Sequence, residues 1–267
     1  MRLPKRHWQE MTTAKFAAAA ASGDIARWIA VLPVAAIEQH GPHLPVATDA
    51  AIAAGMIAEV LSRLPEGLPA TFLPLQAVGK SNEHIASPGT LTLSWETAIR
   101  AWLEIAESVR HAGVQKLVVV NAHGGNVPLI DILTRELRVR HRMLAVHTAW
   151  MRFGDGGFYE DAEGRYGIHG GTVETSLMLH FRPDLVNIAE ARDFASAQAG
   201  FEREFTHLRA HGPHAFGWQA QDLNPAGAVG DATRATAALG ARTAAHQAEA
   251  FIALLADIDR FDLTRLA

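Results

Sequence analysis

The sequence predicts an α/β fold, specifically a three-layer α/β/α sandwich built around a mainly parallel sheet. Residues 28–37 and 116–120 form continuous apolar runs, the pattern of strands buried on both faces. Segments with helical periodicity separate these runs, as in repeated strand–helix–strand units. Each run stops at a cluster of polar residues, and ligands of such sheets bind at the carboxyl ends of the strands. We therefore expect a functional site at that edge.

The first third of the chain supplies two helices and two strands. Alanine-rich residues 13–22 predict a short helix that ends at Gly23, because glycine readily adopts the left-handed conformation of a helix end. After the first apolar run, residues 50–64 show helical periodicity and stop before Pro65. Residues 70–75 are mostly apolar and short, which predicts a strand.

The rest of the chain continues this alternation. Residues 94–112 place apolar side chains on one helical face, and Gly113 ends that helix. Asp231 is the expected cap of a long closing helix. No change in composition divides the chain, so we expect one domain over residues 1–267. The remaining predicted elements are a helix, a strand and two helices, at 128–141, 143–148, 172–180 and 231–258.

Composition excludes several classes of protein. The chain has 267 residues and a net charge of −4, which gives no electrostatic basis for binding nucleic acid or an anionic membrane surface. No apolar stretch is long enough to span a bilayer, and the alanine-rich segment is too weakly apolar for a secretory signal. We therefore expect a cytoplasmic protein. Because the chain has no cysteine, any metal has to be bound by nitrogen and oxygen.

The first apolar run ends in a cluster of possible metal ligands. Glu38 and His40 follow the run, and strand positions two apart share a face, so both side chains are expected to project together. Asp49 follows a loop stiffened by Pro42 and Pro45 and opens the next helix. These ligand types suit zinc, manganese or iron better than calcium, which prefers oxygen alone. The alternative is a strand end with turn histidines and a helix cap.

Two later motifs are expected to bring further polar side chains to the same edge. His123 follows the second apolar run, and the adjacent Gly124 and Gly125 allow backbone to approach a ligand closely. His169 and Glu174 flank the start of a later helix and are the candidate catalytic residues. His169 would transfer a proton to a leaving nitrogen, with a helix-cap histidine as the alternative.

The number of candidate ligands favours a pair of metal ions, which would generate hydroxide near neutral pH and polarise a carbonyl group. Two other classes stay open. In the first class, His40, His123 and one carboxylate form a facial triad that holds a single iron or manganese ion for oxygen or lyase chemistry. The other class is a non-catalytic protein that holds metal ions or takes part in an assembly. The surplus of ligands argues against the first, and the candidate for proton transfer argues against the second.

The three motifs together resemble the creatininase (creatinine amidohydrolase) family, over a stretch from Trp8 to Leu185. The resemblance implies an α/β fold and two divalent ions per subunit, with zinc expected first and manganese or iron as alternatives. It also implies hydrolysis of a C–N amide bond, a non-peptide bond being favoured, in a small-molecule substrate, and a homo-oligomer, with a hexamer favoured. The motifs are Glu38-Gln39-His40-Gly41-Pro42-His43 with Asp49, Asn121-Ala122-His123-Gly124-Gly125-Asn126, and His169-Gly170-Gly171-Thr172-Val173-Glu174-Thr175-Ser176.

The resemblance also implies which residues bind each ion. Glu38, Asp49 and His123 would bind one ion, while His40 and Asp49 would bind the other, so that Asp49 forms a bridge. In creatininase a glutamate two residues after the second-motif histidine completes the second site. A glycine stands at that position here, and we expect Glu174 to supply the missing ligand.

The substrate is less well defined by the sequence. The acidic residue before the third-motif histidine of creatininase is Ile168 here, and no tryptophan occurs at 164–168, so creatinine is not the expected substrate. A cyclic amide, a formamide and a short peptide stay open. We expect Gly217 and Trp218 to be purely structural. The expected substrate contacts, two of which a solvated loop explains equally well, are Glu83, His84, Gly124 and Gly125.

Overall fold

Four parallel strands form the central sheet, in the order β2-β1-β3-β4. The computed structural model describes residues 2–266, so the predicted domain ends at residues 1 and 267 lie outside the described part. Val34 pairs with Asn121, so β1 and β3 end level with each other and deliver the residues that follow them to one edge. The strands are β1 (Ile29–Val34), β2 (Ala70–Phe72), β3 (Lys116–Asn121) and β4 (Leu144–Ala149).

Helices cover both faces of the sheet, which confirms the three-layer α/β/α sandwich. Helices α2, α6 and α9 pack on one face, and α1, α3 and α4 pack on the other. A separate antiparallel ribbon consists of β5 (Asp193–Phe194) and β6 (Gly230–Asp231). Within residues 2–266, no helix has the length and hydropathy needed to cross a membrane. The helices are α1 (Thr13–Ala21), α2 (Thr48–Arg63), α3 (Trp95–His111), α4 (Val127–His141), α5 (Asp161–Tyr166), α6 (Thr172–Phe181), α7 (Gln198–Glu204), α8 (Ala220–Leu223) and α9 (Ala237–Arg260).

Alternate residues of β1 enter two different apolar cores. Ile29 and Val31 pack on the side of α2, α6 and α9, whereas Ala30 and Leu32 pack on the side of α1, α3 and α4. Both β1 and β3 are buried along their whole lengths. Burial on two faces explains why these strands read as continuous apolar runs rather than as alternating ones.

Two predicted boundaries are wrong in ways that bear on the site. The first strand ends at Val34 rather than at residue 37, because Val34 is the last residue paired with β3. The closing helix begins after Thr236, whose hydroxyl accepts the backbone N–H of Leu239 at 3.2 Å. Asp231 caps only the short turn at 232–234.

Candidate metal centre

Glu38 lies at the centre of the site, in the loop that follows β1. Its backbone N–H donates to the carbonyl oxygen of Val46 at 2.8 Å, and Ser81 donates a short hydrogen bond to Oε2. The other carboxylate oxygen, Oε1, is buried and has no hydrogen-bond partner among the described residues. Imidazole nitrogens surround this oxygen at 3.1, 3.4, 3.6 and 4.0 Å, from His123, His84, His169 and His40 respectively.

Asp49 faces two histidines, one with each carboxylate oxygen. It lies in the first turn of α2 and is buried. Its Oδ1 is 3.3 Å from Nε2 of His40, and its Oδ2 is 3.4 Å from Nδ1 of His123. A carboxylate placed in this way has the geometry to bridge two cations.

His40 reaches Asp49 through the shape of a loop rather than through strand alternation. Glu38 and His40 both lie beyond the end of β1, so the shared strand face expected from the sequence is wrong as an explanation. Nδ1 of His40 lies 3.0 Å from the carbonyl oxygen of Glu38, to which a ring N–H donates. Nε2 therefore faces Asp49, and it has no hydrogen-bond partner within residues 2–266.

Three buried atoms without partners make this cluster suitable for metal ions: Oε1 of Glu38, Nε2 of His40 and Oδ2 of Asp49. An unsatisfied buried polar atom costs ~1–3 kcal/mol, and a bound cation removes that cost. A donor set of nitrogen and oxygen fits divalent zinc, manganese or iron. The potential ligand atoms lie within 4.8 Å of one another in each of three trios, Glu38-His40-Asp49, Glu38-His84-His169 and His40-His169-Glu174.

Charge is distributed unevenly in the metal-free cluster. Burial lowers the pKa of His40, but Asp49 and the other nearby carboxylates outweigh burial and raise that pKa to about 10. Burial also lowers the pKa of His123, and Glu38 outweighs it, so that this pKa lies well above its usual value. Burial raises the pKa of Glu38, but the surrounding imidazoles hold it well below its usual value. Protons therefore occupy the two imidazoles that metal ions would bind.

The loop before α3 anchors His123 on the side that faces away from Asp49. Nε2 of His123 lies 3.0 Å from the carbonyl oxygen of Lys80 and 3.3 Å from Oε1 of Glu83. Such contacts fix the tautomer and the ring orientation of a metal-binding histidine. The Glu83 carboxylate occupies the space in which a Cβ at position 125 would lie. Gly125 therefore makes room for a group that orients His123.

Glu174 meets the cluster from the first turn of α6, as the sequence predicts. Its Oε2 accepts the backbone N–H of Gly170 at 2.5 Å and lies 3.8 Å from Nε2 of His40. Burial raises the pKa of Glu174, the His40 charge opposes this shift, and the result is about 7. The side chain is thus directed at the ion that His40 would bind.

His169 lies just before α6, with its ring centroid 4.1 Å from that of His40. Nε2 of His169 lies 2.6 Å from the carbonyl oxygen of Gln39, so this nitrogen carries the ring proton. Nδ1 is left as the basic nitrogen and faces Oε1 of Glu38 at 3.6 Å. Burial, followed by the charges of His40 and His84, holds the pKa of His169 well below its usual value. His169 is therefore a neutral imidazole in the metal-free cluster.

His84 lies inside the cluster, so the alternative of a solvated loop residue is wrong. Only 3% of its surface is exposed. The side-chain amide of Gln39 donates to Nδ1 of His84 at 2.7 Å, which places the ring proton on Nε2. That nitrogen lies 3.4 Å from Oε1 of Glu38. The neighbouring Glu83 is also largely buried, with 14% of its side chain exposed.

A cavity of 510 Å³ opens onto the cluster and gives a substrate access to it. All four expected substrate contacts line this cavity, which is the position that role requires. Gly217 and Trp218, which we expected to be purely structural, line it too. The sequence did not identify several other residues of the cavity wall, because their positions depend on long-range folding. The one signal available for them was the presence of aromatic residues in the glycine-rich segment 212–230. The missed wall residues are Lys80, Ala122, Pro128, His211 and Phe216.

A buried cluster of carboxylates and imidazoles, placed at the carboxyl edge of a parallel sheet and open to a cavity, is the site of a metal-binding α/β protein. The family model for creatininase, described as creatinine amidohydrolase, matches residues 9–255. A mycofactocin precursor peptide peptidase of Mycobacterium ulcerans (strain Agy99) is 33% identical over 235 residues, which cover 86% of this chain and 85% of that protein. A creatinine amidohydrolase of Pseudomonas putida is 31% identical over 204 residues, covering 70% and 76%.

Solved structures agree with this fold. One described as "Creatininase Mn" superimposes with a TM-score of 0.73 at 24% identity, and the match covers 95% of this chain and 98% of that chain. The chain belongs to the creatininase family and is a metal-dependent amidohydrolase.

Proposed function

We propose that this chain uses two divalent metal ions to hydrolyse a C–N amide bond in a peptide-like substrate. The observation that carries the proposal is the position of Asp49, whose two oxygens face His40 and His123 separately. A single ion would gather these side chains around one point. A carboxylate between two imidazoles instead supports a bridge between two ions.

The distances support one set of three protein ligands for each ion. Glu38, Asp49 and His123 would hold the first ion, with His123 lying 3.1 Å from Glu38 and 3.4 Å from Asp49. His40, Asp49 and Glu174 would hold the second, with His40 lying 3.3 Å from Asp49 and 3.8 Å from Glu174. Three protein ligands leave a position for water, as a catalytic site requires. Zinc is the metal we expect first, with manganese or iron as alternatives.

We expect His169 to transfer the proton from the attacking water to the leaving amine. When bound, a pair of divalent ions acidifies water to hydroxide near neutral pH and polarises the carbonyl group of an amide. The neutral His169 ring accepts the proton of the attacking water at Nδ1, the nitrogen that faces the cluster. The same nitrogen then gives this proton to the departing amine. The contact between Nε2 and the carbonyl oxygen of Gln39 keeps the ring oriented throughout.

A peptide-like amide is supported better than creatinine or another non-peptide amide. The relatives named as mycofactocin precursor peptide peptidases include two that are 33% and 31% identical over 86% and 79% of this chain. Ile168 lies in the cavity wall at the position where creatininase has an acidic residue. A cavity of 510 Å³ has room for more than a single small ring.

The proposal is tested by incubating zinc-, manganese- and iron-loaded protein with short peptides, N-formyl compounds and cyclic amides. We expect amine release from peptides, loss of that activity with a chelator, and its return when metal is restored. Two bound ions without hydrolysis of any amide would favour a non-catalytic metal-holding protein. Activity with a single ion per subunit would favour the mononuclear facial triad.

We further propose that residues 1–267 act as one domain and that the chain forms a homo-oligomer, a hexamer being the form that the resemblance implies. The family model spans residues 9–255 without interruption, which supports one domain. Exposed apolar surface near the site supports self-association, since such surface commonly marks an interface. Its large side chains, each 36 to 56% exposed, are Val46, Ile85, Leu91 and Trp95.

A further inference from the structure

Lys80 is the only lysine or arginine among the described residues that line the cavity. Its side chain is 24% exposed, and its ammonium group lies 3.3 Å from Oε2 of Glu83. An ammonium group has three N–H donors, so this single contact leaves donors for a ligand. The cavity wall therefore presents one fixed positive group beside the metal cluster.

Both peptide groups of Lys80 are held by residues of the site. Its backbone N–H donates to Oδ1 of Asn126 at 3.0 Å, and its carbonyl oxygen lies 3.0 Å from Nε2 of His123. The glycine at position 125 allows this arrangement, because a Cβ there would collide with Oε1 of Glu83 and with the carbonyl oxygen of Lys80. The lysine is thus part of a wall that depends on Gly125.

The cavity also has aromatic and apolar lining residues. Phe216 and Trp218 line it together with Ile168 and Pro128. The indole N–H of Trp218 donates to the carbonyl oxygen of Ala210 at 2.9 Å, which fixes the orientation of the ring. An apolar group of a substrate can therefore pack against these side chains while a polar group reaches Lys80.

The charge of the loaded cavity does not oppose an anion. Its carboxylates are those of Glu38, Asp49, Glu83 and Glu174, and Lys80 is its one fixed positive side chain. Two divalent ions with a bound hydroxide would bring the sum of these charges to zero. A carboxylate on the substrate would then form a charge-assisted hydrogen bond with the ammonium group.

We propose that Lys80 is a specificity-determining residue that binds a free carboxylate of the substrate, while Phe216 and Trp218 hold an adjacent apolar group. The inference rests on the proposed function in one respect, namely that the ligand is the amide substrate of this site. The substrate class is then a peptide-like amide with a carboxylate and an apolar side chain. The competing explanation is that Lys80 only holds Glu83 in place.

The test compares acids with their neutral amides: N-benzoylglycine, N-benzoylleucine and N-benzoylphenylalanine against the corresponding carboxamides. Calorimetry with zinc-loaded protein gives the ratio of dissociation constants, and any pair that is hydrolysed is compared by kcat/KM. We expect the wild-type protein to prefer the carboxylates by about tenfold or more, and Lys80→Met to lose most of that preference. Lys80→Arg should keep it, and Lys5→Met, a change at an exposed lysine outside the cavity, should leave it unaltered.

Zinc content and thermal denaturation separate the two roles of Lys80. If Lys80→Met keeps its zinc and its melting temperature while losing the preference for carboxylates, the lysine binds substrate. If Lys80→Met keeps the preference, or if the wild-type protein shows none, the inference is wrong. Failure of the proposed function looks different, because acids would then bind in a Lys80-dependent way while no amide is hydrolysed.

Discussion

A Cβ at Gly125 would collide with Oε1 of Glu83, so these two positions cannot both place a side chain beside His123. The resemblance to creatininase implies a glutamate at the position of Gly125 in that enzyme, where it completes the second metal site. In this chain the Glu83 carboxylate occupies that space and contacts Nε2 of His123, the ring nitrogen that faces away from Asp49. We expect this carboxylate to orient His123 rather than to bind a metal ion.

The first prediction follows from that collision. Gly125→Ala should displace Glu83 and crowd Nε2 of His123, because the new Cβ would lie against both groups. We expect zinc binding to weaken by about 10- to 100-fold, the range found when a group that orients a ligand is lost. Competition with a chromogenic chelator measures the affinity. Gly124→Ala is the matched control, because a Cβ there meets none of the described residues within 4 Å. Equal zinc affinity in the two variants would contradict the assigned role of Glu83.

The second prediction concerns the ligands of the second ion. Glu174→Gln keeps the size of the side chain but removes its charge, and we expect it to bind one zinc ion fewer per subunit and to lose activity. Asp49→Ala should reduce zinc content further, because it removes a ligand from both ions. Metal content is measured on gel-filtered protein. Glu190→Gln, on the exposed side of the molecule, is the control, and a Glu174→Gln variant with two ions and full activity would refute this ligand set.

The third prediction is a dependence of stability on pH. In the metal-free fold the pKa of His40 is about 10, above its ordinary value of 6.5. Protonation of His40 therefore stabilises the metal-free protein fully below pH 6.5, and this stabilisation is lost as the pH rises towards 10. Metal ions bind the unprotonated ring, so their stabilising effect should grow over the same interval. Melting temperatures with zinc and with chelator should diverge from about pH 6.5 to about pH 9, and a constant difference would contradict the account.

The fourth prediction tests self-association. Trp95→Glu places a charge on the exposed apolar surface near the site and should shift the protein towards smaller species in sedimentation velocity experiments. Val139→Glu changes a side chain that is 78% exposed on α4, on a different part of the surface, and should leave the sedimentation coefficient unaltered. Identical distributions for wild type and Trp95→Glu would mean that this surface is not the interface.

The sequence predicted the part of the site that depends on local order. His123 follows β3 directly, so its arrival at the carboxyl edge could be inferred from the apolar run before it. Glu38 and His40 were correctly expected to lie together, but for the wrong reason. Their proximity depends on a loop in which Glu38 pairs with Val46, and that pairing has no signature in strand periodicity.

The sequence could not predict contacts that only folding creates. Lys80 is far from both His211 and Trp218 in the chain, yet all three line one cavity. The burial of His84 depends in the same way on Gln39, which lies 45 positions away and fixes its tautomer. From the sequence alone such residues are polar or aromatic loop residues. No local sequence pattern distinguishes a residue of a cavity wall from a residue of a solvated surface.

The most direct test of the central claim is anomalous scattering from crystals of zinc-loaded protein at the zinc edge. We expect two peaks per subunit on either side of the Asp49 carboxylate, one beside His123 and the other beside His40 and Glu174. A single peak, or two peaks of which one lacks contact with Asp49, would contradict it.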